Sequence, residues 1–229
     1  MSVFFRRRGE PPATFDAIFS NNSWEAIIAA CQSGNVPDTW AVGNSKTMTI
    51  NGTGYQIDII GKNHDTYTAG GAAPLTFQMH DCYATTYSMN SSFINSGGWT
   101  NCAMRRTHLH VILALMPTEV QNGIREVNKL TSAGSQSDTI NTTADKLFLL
   151  SEIEIFGSTK YSKAGEGNQY AYYSAGNSKV KKFSGSASYW WERSPHGGDS
   201  ASFCYVDRDG NATTAVASAS IGVSFGFCF

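Results

Sequence analysis

Ile221-Gly222-Val223-Ser224-Phe225-Gly226-Phe227-Cys228-Phe229 is the stretch whose reading decides the fold. Ile221, Val223, Phe225, Phe227 and Phe229 fall on one face of an extended chain, and Gly222, Ser224, Gly226 and Cys228 fall on the other. Side chains alternate along a strand, so a segregation this complete predicts a strand with its large face in a core. The small face leaves room for another layer or another chain to approach closely. A one-residue slip would exchange the faces, so the register is well specified.

Working outward, Phe203 and Tyr205 alternate with Ser202, Cys204 and Val206, and Asp207-Arg208-Asp209-Gly210 supplies a turn that reverses the chain. A hairpin is predicted where Met48 and Ile50 alternate with threonines, Asn51-Gly52 turns, and Tyr55, Ile57 and Ile59 alternate on the return. Trp24, Ile27, Ile28 and Cys31 recur at helical spacing behind a cap at Asn22 or Ser23, until Gly34 ends the helix. Residues 61–102 read mostly as loop with short helical pieces. Residues 103–116 read as a helix stopped by Pro117, and Thr118 with Gln121 reads as a capping box opening a second one that carries Val120, Ile124 and Val127. Residues 131–143 read as loop, and 146–155 as either a buried strand or a short helix. The sum is an α+β fold: short helices packed on a small, mostly antiparallel sheet over residues 21–229, behind an N-terminal arm at 1–20 that carries Arg6-Arg7-Arg8 and Pro11-Pro12 and is expected to dock on another protein.

Composition narrows the function classes. Of 229 residues, 41% are hydrophobic and only 15% charged, with a formal net charge of −1. A polar but weakly charged surface argues against capture of nucleic acid or of anionic membrane, and three arginines are too few for a nucleic-acid footprint. No apolar run approaches the roughly 20 residues that span a bilayer, so no membrane insertion is expected. The start places its charges after two aromatics, which is the wrong order for a secretory signal, so synthesis in a cytoplasm without that export route is expected. The triplets at Asn51, Asn90, Asn141 and Asn211 are then by-products of Asn/Ser/Thr richness. Five cysteines, Cys31, Cys82, Cys102, Cys204 and Cys228, form no Cys-x-x-Cys pair and read as buried free thiols.

Tyr189-Trp190-Trp191-Glu192-Arg193-Ser194-Pro195, then Phe203-Cys204-Tyr205-Val206 with Asp209-Gly210, then Gly222-Val223 and Phe227-Cys228, resemble a domain family of gut clostridia and their bacteriophages. Its signature runs W-x-R-S-P, F-x-x-V-x-x-x-G and G-V-R-P-A-F. The likeness extends upstream through residues 60–65, Met89-Asn90, Gly98-Trp99, Met104-Arg105 and residues 145–152, covering roughly 40–229. That family in turn is similar to the C-type-lectin fold of phage tropism determinants and formylglycine-generating enzymes. The resemblance implies a C-type-lectin-like domain in which Trp190, Arg193, Ser194, Gly222, Val223 and Phe227 are structural. Ser224-Phe225-Gly226 stands where the family has Arg-Pro-Ala, so a ligand contact by that arginine is in doubt.

The chemistry is that of binding. No paired reactive cysteines, no Gly-x-Ser-x-Gly, no His-Glu-x-x-His and no phosphate loop occur, so no enzyme activity, cofactor or metal is expected. His108 and His110 on a helix would point about 200° apart. Two His-Asp pairs, His64-Asp65 and His80-Asp81, leave open a metal or, as the plainer reading, histidine–carboxylate hydrogen bonds that fix loops. Asp207–Asn211 reads as a hairpin turn in preference to a calcium loop. Adjacent Trp190 and Trp191 face opposite ways on a strand, one into the core and the other free to stack on a ligand. Arg193 reads as a buried arginine pairing with carbonyls or a carboxylate. Candidate ligand contacts are Trp191, Glu192, His196, Asp199, Tyr205, Asp207 and Arg208, on loops expected to be exposed beside the last strands. The expected protein is a bacteriophage virion component, made in the host cytoplasm: a tail-tip, fibre or head-surface adhesin. It would be held by other virion proteins through residues 1–20, form a homo-oligomer, and bind a host surface glycan or protein. A bacterial interaction module is the alternative, and a formylglycine-generating-type enzyme is disfavoured.

Overall fold

The computed structural model describes residues 14–229. Residues 1–13, with Arg6–Arg8 and most of the expected docking arm, lie outside the described residues. Where the description begins the chain already belongs to the core: Phe19 is buried, with its ring edge-on to Trp40 (5.4 Å) and stacked on Phe77 (6.1 Å).

Helix α1 (Trp24–Ser33) is capped by Ser23, whose side chain accepts from the Ala26 amide. Strands β1 (Ser45–Ile50) and β2 (Thr53–Lys62) form the expected hairpin in the register Ile50↔Thr53, turning at Asn51 and Gly52, both at positive φ. The next strand, β3 (Leu75–Met79), lies inside the stretch expected to be loop. Leu75, Thr76, Phe77, Gln78 and Met79 alternate apolar and polar, a short strand signal that the expectation of loop passed over; all five are buried, Thr76 and Gln78 in hydrogen bonds to Asp65, the Ser224 carbonyl and Tyr173.

Helix α2 (Gly98–Asn101) is followed by a π-helical turn at Met104–His108 that runs into α3 (Leu109–Ala114). Helix α4 (Thr118–Gly123) starts after Pro117, but the capping box does not form. Gln121 instead turns its amide back to the Met116 and Ala114 carbonyls (2.7 and 3.3 Å), closing the helix before it. Val127 is not helical; it opens β4 (Val127–Ser132), which pairs with β5 (Ile140–Asp145) across part of the expected loop at 131–143. The ambiguous stretch at 146–155 holds both alternatives, β6 (Leu147–Phe148) and then α5 (Glu152–Phe156). After α6 (Ala171–Ser174) come β7 (Lys181–Phe183), β8 (Ser186–Ser188), β9 (Trp190–Pro195), β10 (Ser202–Val206), β11 (Ala212–Val216) and β12 (Gly226–Cys228).

The strands form a five-stranded sheet in the order β1-β2-β3-β12-β6, a three-stranded sheet β11-β10-β9, and the hairpins β4-β5 and β7-β8, with every ladder antiparallel. The fold is mixed α+β. The terminal stretch joins the two larger sheets. Its end, β12, sits between β3 and β6, while Gly222 bonds upstream to Tyr189 and Trp191 at the edge of β9. Phe227 stacks on Phe77 (5.2 Å), and Phe229 packs edge-on to Trp24. The small face is filled by the chain itself. A Cβ on Gly222 would lie 2.6 Å from the Tyr189 carbonyl, and one on Gly226 would lie 2.9 Å from the Phe148 ring. Residues 221–229 are therefore buried on both faces. All five cysteines are buried and free.

Candidate functional site

Strand β9 builds the interior beneath the loops. Arg193 is wholly buried and spends its guanidinium on protein partners. Nη1 and Nη2 fork onto the Glu154 carboxylate, and the remaining donors reach the carbonyls of Leu130, Leu149 and Glu166 and the Thr131 hydroxyl. Glu154 is the N3 residue of a capping box with Ser151, so a local helix signal doubles as the counter-ion of the core. Lys129 donates to Glu154 (2.7 Å), Asp65 (2.8 Å) and Tyr170 (3.0 Å), and Thr76 donates to Asp65 (2.6 Å). Burial alone would raise both carboxyls. The adjoining cations outweigh it: Lys129, helped by Thr76, brings Asp65 down to about 2, and Arg193 with Lys129 holds Glu154 below the usual range.

Trp191 and Glu192 lie on the same strand and are fully buried, which corrects the expectation that they face a ligand. The cause is that both edges of β9 are occupied: Trp191 and Arg193 donate to the Gly222 and Leu150 carbonyls on one side, and β10 pairs on the other. Among the described residues neither Glu192 carboxyl oxygen has a partner. Burial, and then Glu152 and Glu166 nearby, push this carboxyl well above the usual range. Trp190, Ser194, Gly222, Val223 and Phe227 are buried as well.

The other predicted contacts stand at the surface but do not come together. His196 bonds Asp199 (Nδ1 to Oδ2, 2.8 Å), and Asp199 also accepts from the Ala201 and Ser202 amides, beside the first residue of β10. Asp207 accepts from the Asp209 and Asn211 amides in a hairpin turn just past the last. There Arg208 lies over the Tyr189 ring (4.6 Å), and Tyr205 packs edge-on to Tyr189 and Trp191. A five-residue strand separates the two groups by roughly 15 Å. The His-Asp pairs do not act as units either. Asp65 belongs to the buried ion cluster, and His64 stacks on Tyr170 (4.0 Å). His80 bonds Asp58 (2.7 Å), while Asp81 accepts from the Lys182 amide. Among the described residues, no group of three His, Cys, Asp or Glu side chains could hold a metal.

A cleft that the sequence reading missed lies beside the His196 loop. Asn95, fully buried, is its anchor. Its side-chain amide donates to the carbonyls of Asp199 (3.0 Å) and Ser202 (2.8 Å), its side-chain oxygen accepts from the Ser135 amide (2.8 Å), and its own amide donates to the Ser200 carbonyl (2.8 Å). Three loops are thus pinned by one residue. They meet backbone to backbone: a Cβ on Gly134 would lie 1.9 Å from the Asn95 carbonyl, and one on Gly98 would lie 2.1 Å from that of Ser132. Next to this junction an open cleft of about 480 Å³ is lined by Asn90, Ser91, Ser92, Ile94, Ser96, Asn101, Ala103, Arg106 and Thr107. The signal available in the sequence was Phe93-Ile94-Asn95-Ser96-Gly97-Gly98, a large apolar pair set directly against turn residues.

Residues 76–228 match a family described as a domain of unknown function, DUF6273. The chain belongs to this family. The DUF6273 region runs from β3 to β12, so it includes the cleft, Asn95 and Arg193, whereas α1, the β1-β2 hairpin and Asp65 lie ahead of it. No curated protein and no solved structure matches the chain. Among the described residues, no helix is long and apolar enough to cross a membrane.

Proposed function

We propose that this DUF6273 protein is a non-catalytic attachment protein: a C-type-lectin-like domain carried on the surface of a bacteriophage particle that binds the host cell envelope. The observation that carries the reading is the junction at Asn95, where one buried side chain ties its own loop to two others and so holds the segment that walls an open polar cleft. A site held this way is organised before its ligand arrives, which lowers the ordering cost of binding. The interior supports a scaffold role. Arg193, Lys129, Asp65 and Glu154 are committed to one another. The cysteines carry no reactive thiolate, because burial pushes Cys31, Cys82 and Cys102 up to about 12 and Cys204 and Cys228 well above the usual value. That also weighs against formylglycine-type chemistry. Attachment to other virion proteins through residues 1–20 and homo-oligomerisation belong to the same proposal.

Fluorescently labelled protein should adhere to intact host cells. Asn95→Ala should weaken adhesion by about tenfold while near-ultraviolet circular dichroism shows the core intact, since it releases loops and leaves the Arg193 frame untouched. Full adhesion by that variant would overturn the role of the loops. Peptide mass spectrometry of purified particles should find the chain; its absence there would overturn the virion location and leave a bacterial interaction module.

A further inference from the structure

We infer that the cleft at residues 90–107 binds a saccharide that carries an acidic group, with the Arg106 guanidinium as the acid's partner; this rests on the attachment reading and names its ligand class. The floor of the cleft is already satisfied: the Asn90 side chain donates to the Ile94 carbonyl (2.6 Å) and accepts from the Ala103 amide (3.0 Å). The walls are not. Ser91, Ser92, Ser96 and Thr107 present exposed hydroxyls, and Asn101 an exposed amide. Short hydroxyl and amide groups that can both donate and accept match the vicinal hydroxyls of a sugar ring.

Two features narrow the class. Among the described residues Arg106 makes hydrogen bonds only through its backbone, with the Cys102 carbonyl and His110, whereas its neighbour Arg105 is tied to Asp145 (2.6 Å). Among the described residues no carboxylate lines the cleft and its one formal charge is the Arg106 guanidinium, whose planar fork suits a carboxylate or a phosphate. Ile94, which lines the cleft, is 51% exposed. An apolar side chain beside hydroxyl-rich walls is suited to the C–H face of a pyranose ring. A volume of about 480 Å³ is in the range of small-molecule sites. A nucleic acid would demand several cations along its backbone, and the cleft offers one.

The probes are a dihexuronate, a hexose phosphate and a neutral dihexose, titrated calorimetrically against the whole chain. At least one acidic probe should bind about tenfold more tightly than the neutral sugar, and which one does so distinguishes carboxylate from phosphate recognition. Arg106→Gln should erase that preference, Ile94→Ala should weaken all binding about fivefold, and Lys182→Gln, on β7 and outside the cleft's lining, should change nothing. Equal binding of all three sugars, no binding of any, or an acid preference that survives Arg106→Gln would overturn the inference. Cell adhesion that persists alongside any of these would leave the attachment reading standing. Acid-selective binding without adhesion would remove that reading and keep the site.

Discussion

Glu192 and Arg193 are neighbours on β9 and are equally buried, yet among the described residues the Glu192 carboxyl has no hydrogen-bond partner while Arg193 uses its guanidinium fully. On one side of the strand a guanidinium, an ammonium and two carboxylates neutralise each other in a dry interior. On the other, Glu192 is buried near like-charged Glu152 and Glu166, and the more distant pull of Arg193, which is committed to Glu154, does not offset them. The difference shows two routes by which a core tolerates ionisable groups. Charge is retained where partners are built around it, and given up by protonation where they are not.

The largest effect should come from removing the hub of the satisfied side. Arg193→Met keeps much of the volume but strips Glu154 of its fork and leaves the Leu130, Leu149 and Glu166 carbonyls without those donors. Breaking a buried pair from one side costs about 3–5 kcal/mol. Urea denaturation should report a loss of that size, and a loss under 1 kcal/mol would mean that Lys129 alone can hold Glu154.

The two sides should also respond to pH in opposite directions. Asp65 titrates near 2 in the folded chain against an ordinary 3.8, so its contribution is complete above the latter and fades as pH falls through that window. Glu154, also lowered, acts the same way below its ordinary 4.5. Glu192 is raised. Above 4.5 the unfolded chain has lost a proton that the folded chain keeps, so stability falls as pH rises towards the folded value. Glu166, pushed up to about 7 mainly by burial, adds to this fall between 4.5 and 7. Glu192→Gln, which mimics the neutral acid, should match the parent near pH 4.5 and gain on it above, by at most about 1.4 kcal/mol per pH unit. Parallel curves for the two proteins between pH 5 and 8 would show that Glu192 ionises freely.

This contrast explains what was legible in the sequence. The β1-β2 hairpin and α1 were readable because each carries a local signal, either alternation, a cap or a turn pair; the terminal stretch was readable in part, since its alternation marks core residues but only Gly226–Cys228 is strand. Strand β3 was not read although Leu75-Thr76-Phe77-Gln78-Met79 alternates: the run is only five residues long within a Gly-, Thr-, Ser- and Asn-rich stretch, and Thr76 and Gln78 look like loop residues until their distant partners are in place. The β4-β5 hairpin was hidden by its buried polar residues: Lys129 and Thr131 find their partners in other segments, at Asp65 and Arg193, and Thr143 finds its own across the hairpin at the Lys129 carbonyl. Exposure at the site failed for one further reason. Polarity alone placed Glu192 outside, and nothing in its local sequence tells a buried neutral carboxyl from a solvated one. Asn95 was missed because its role is long-range, joining residues about a hundred positions apart.

The smallest effects come from two serines, one on each side of the contrast. Ser194 Oγ donates to Glu166 and accepts from the Glu152 amide (3.0 Å), so it links the helix start at α5 to the buried acid. Ser162 Oγ is buried with no partner among the described residues, although its backbone amide bonds Glu152 (2.8 Å). Removing a hydroxyl that satisfies two buried groups leaves both exposed to the full desolvation penalty, whereas removing an orphan relieves one. Ser194→Ala should therefore cost about 1–3 kcal/mol in urea denaturation, and Ser162→Ala should stay within about 0.5 kcal/mol of the parent or stabilise it slightly. If the two changes cost the same, an ordered water must serve Ser162 and, by extension, the Glu192 carboxyl, and the contrast between neighbours on β9 would shrink to a difference between direct and water-mediated partners.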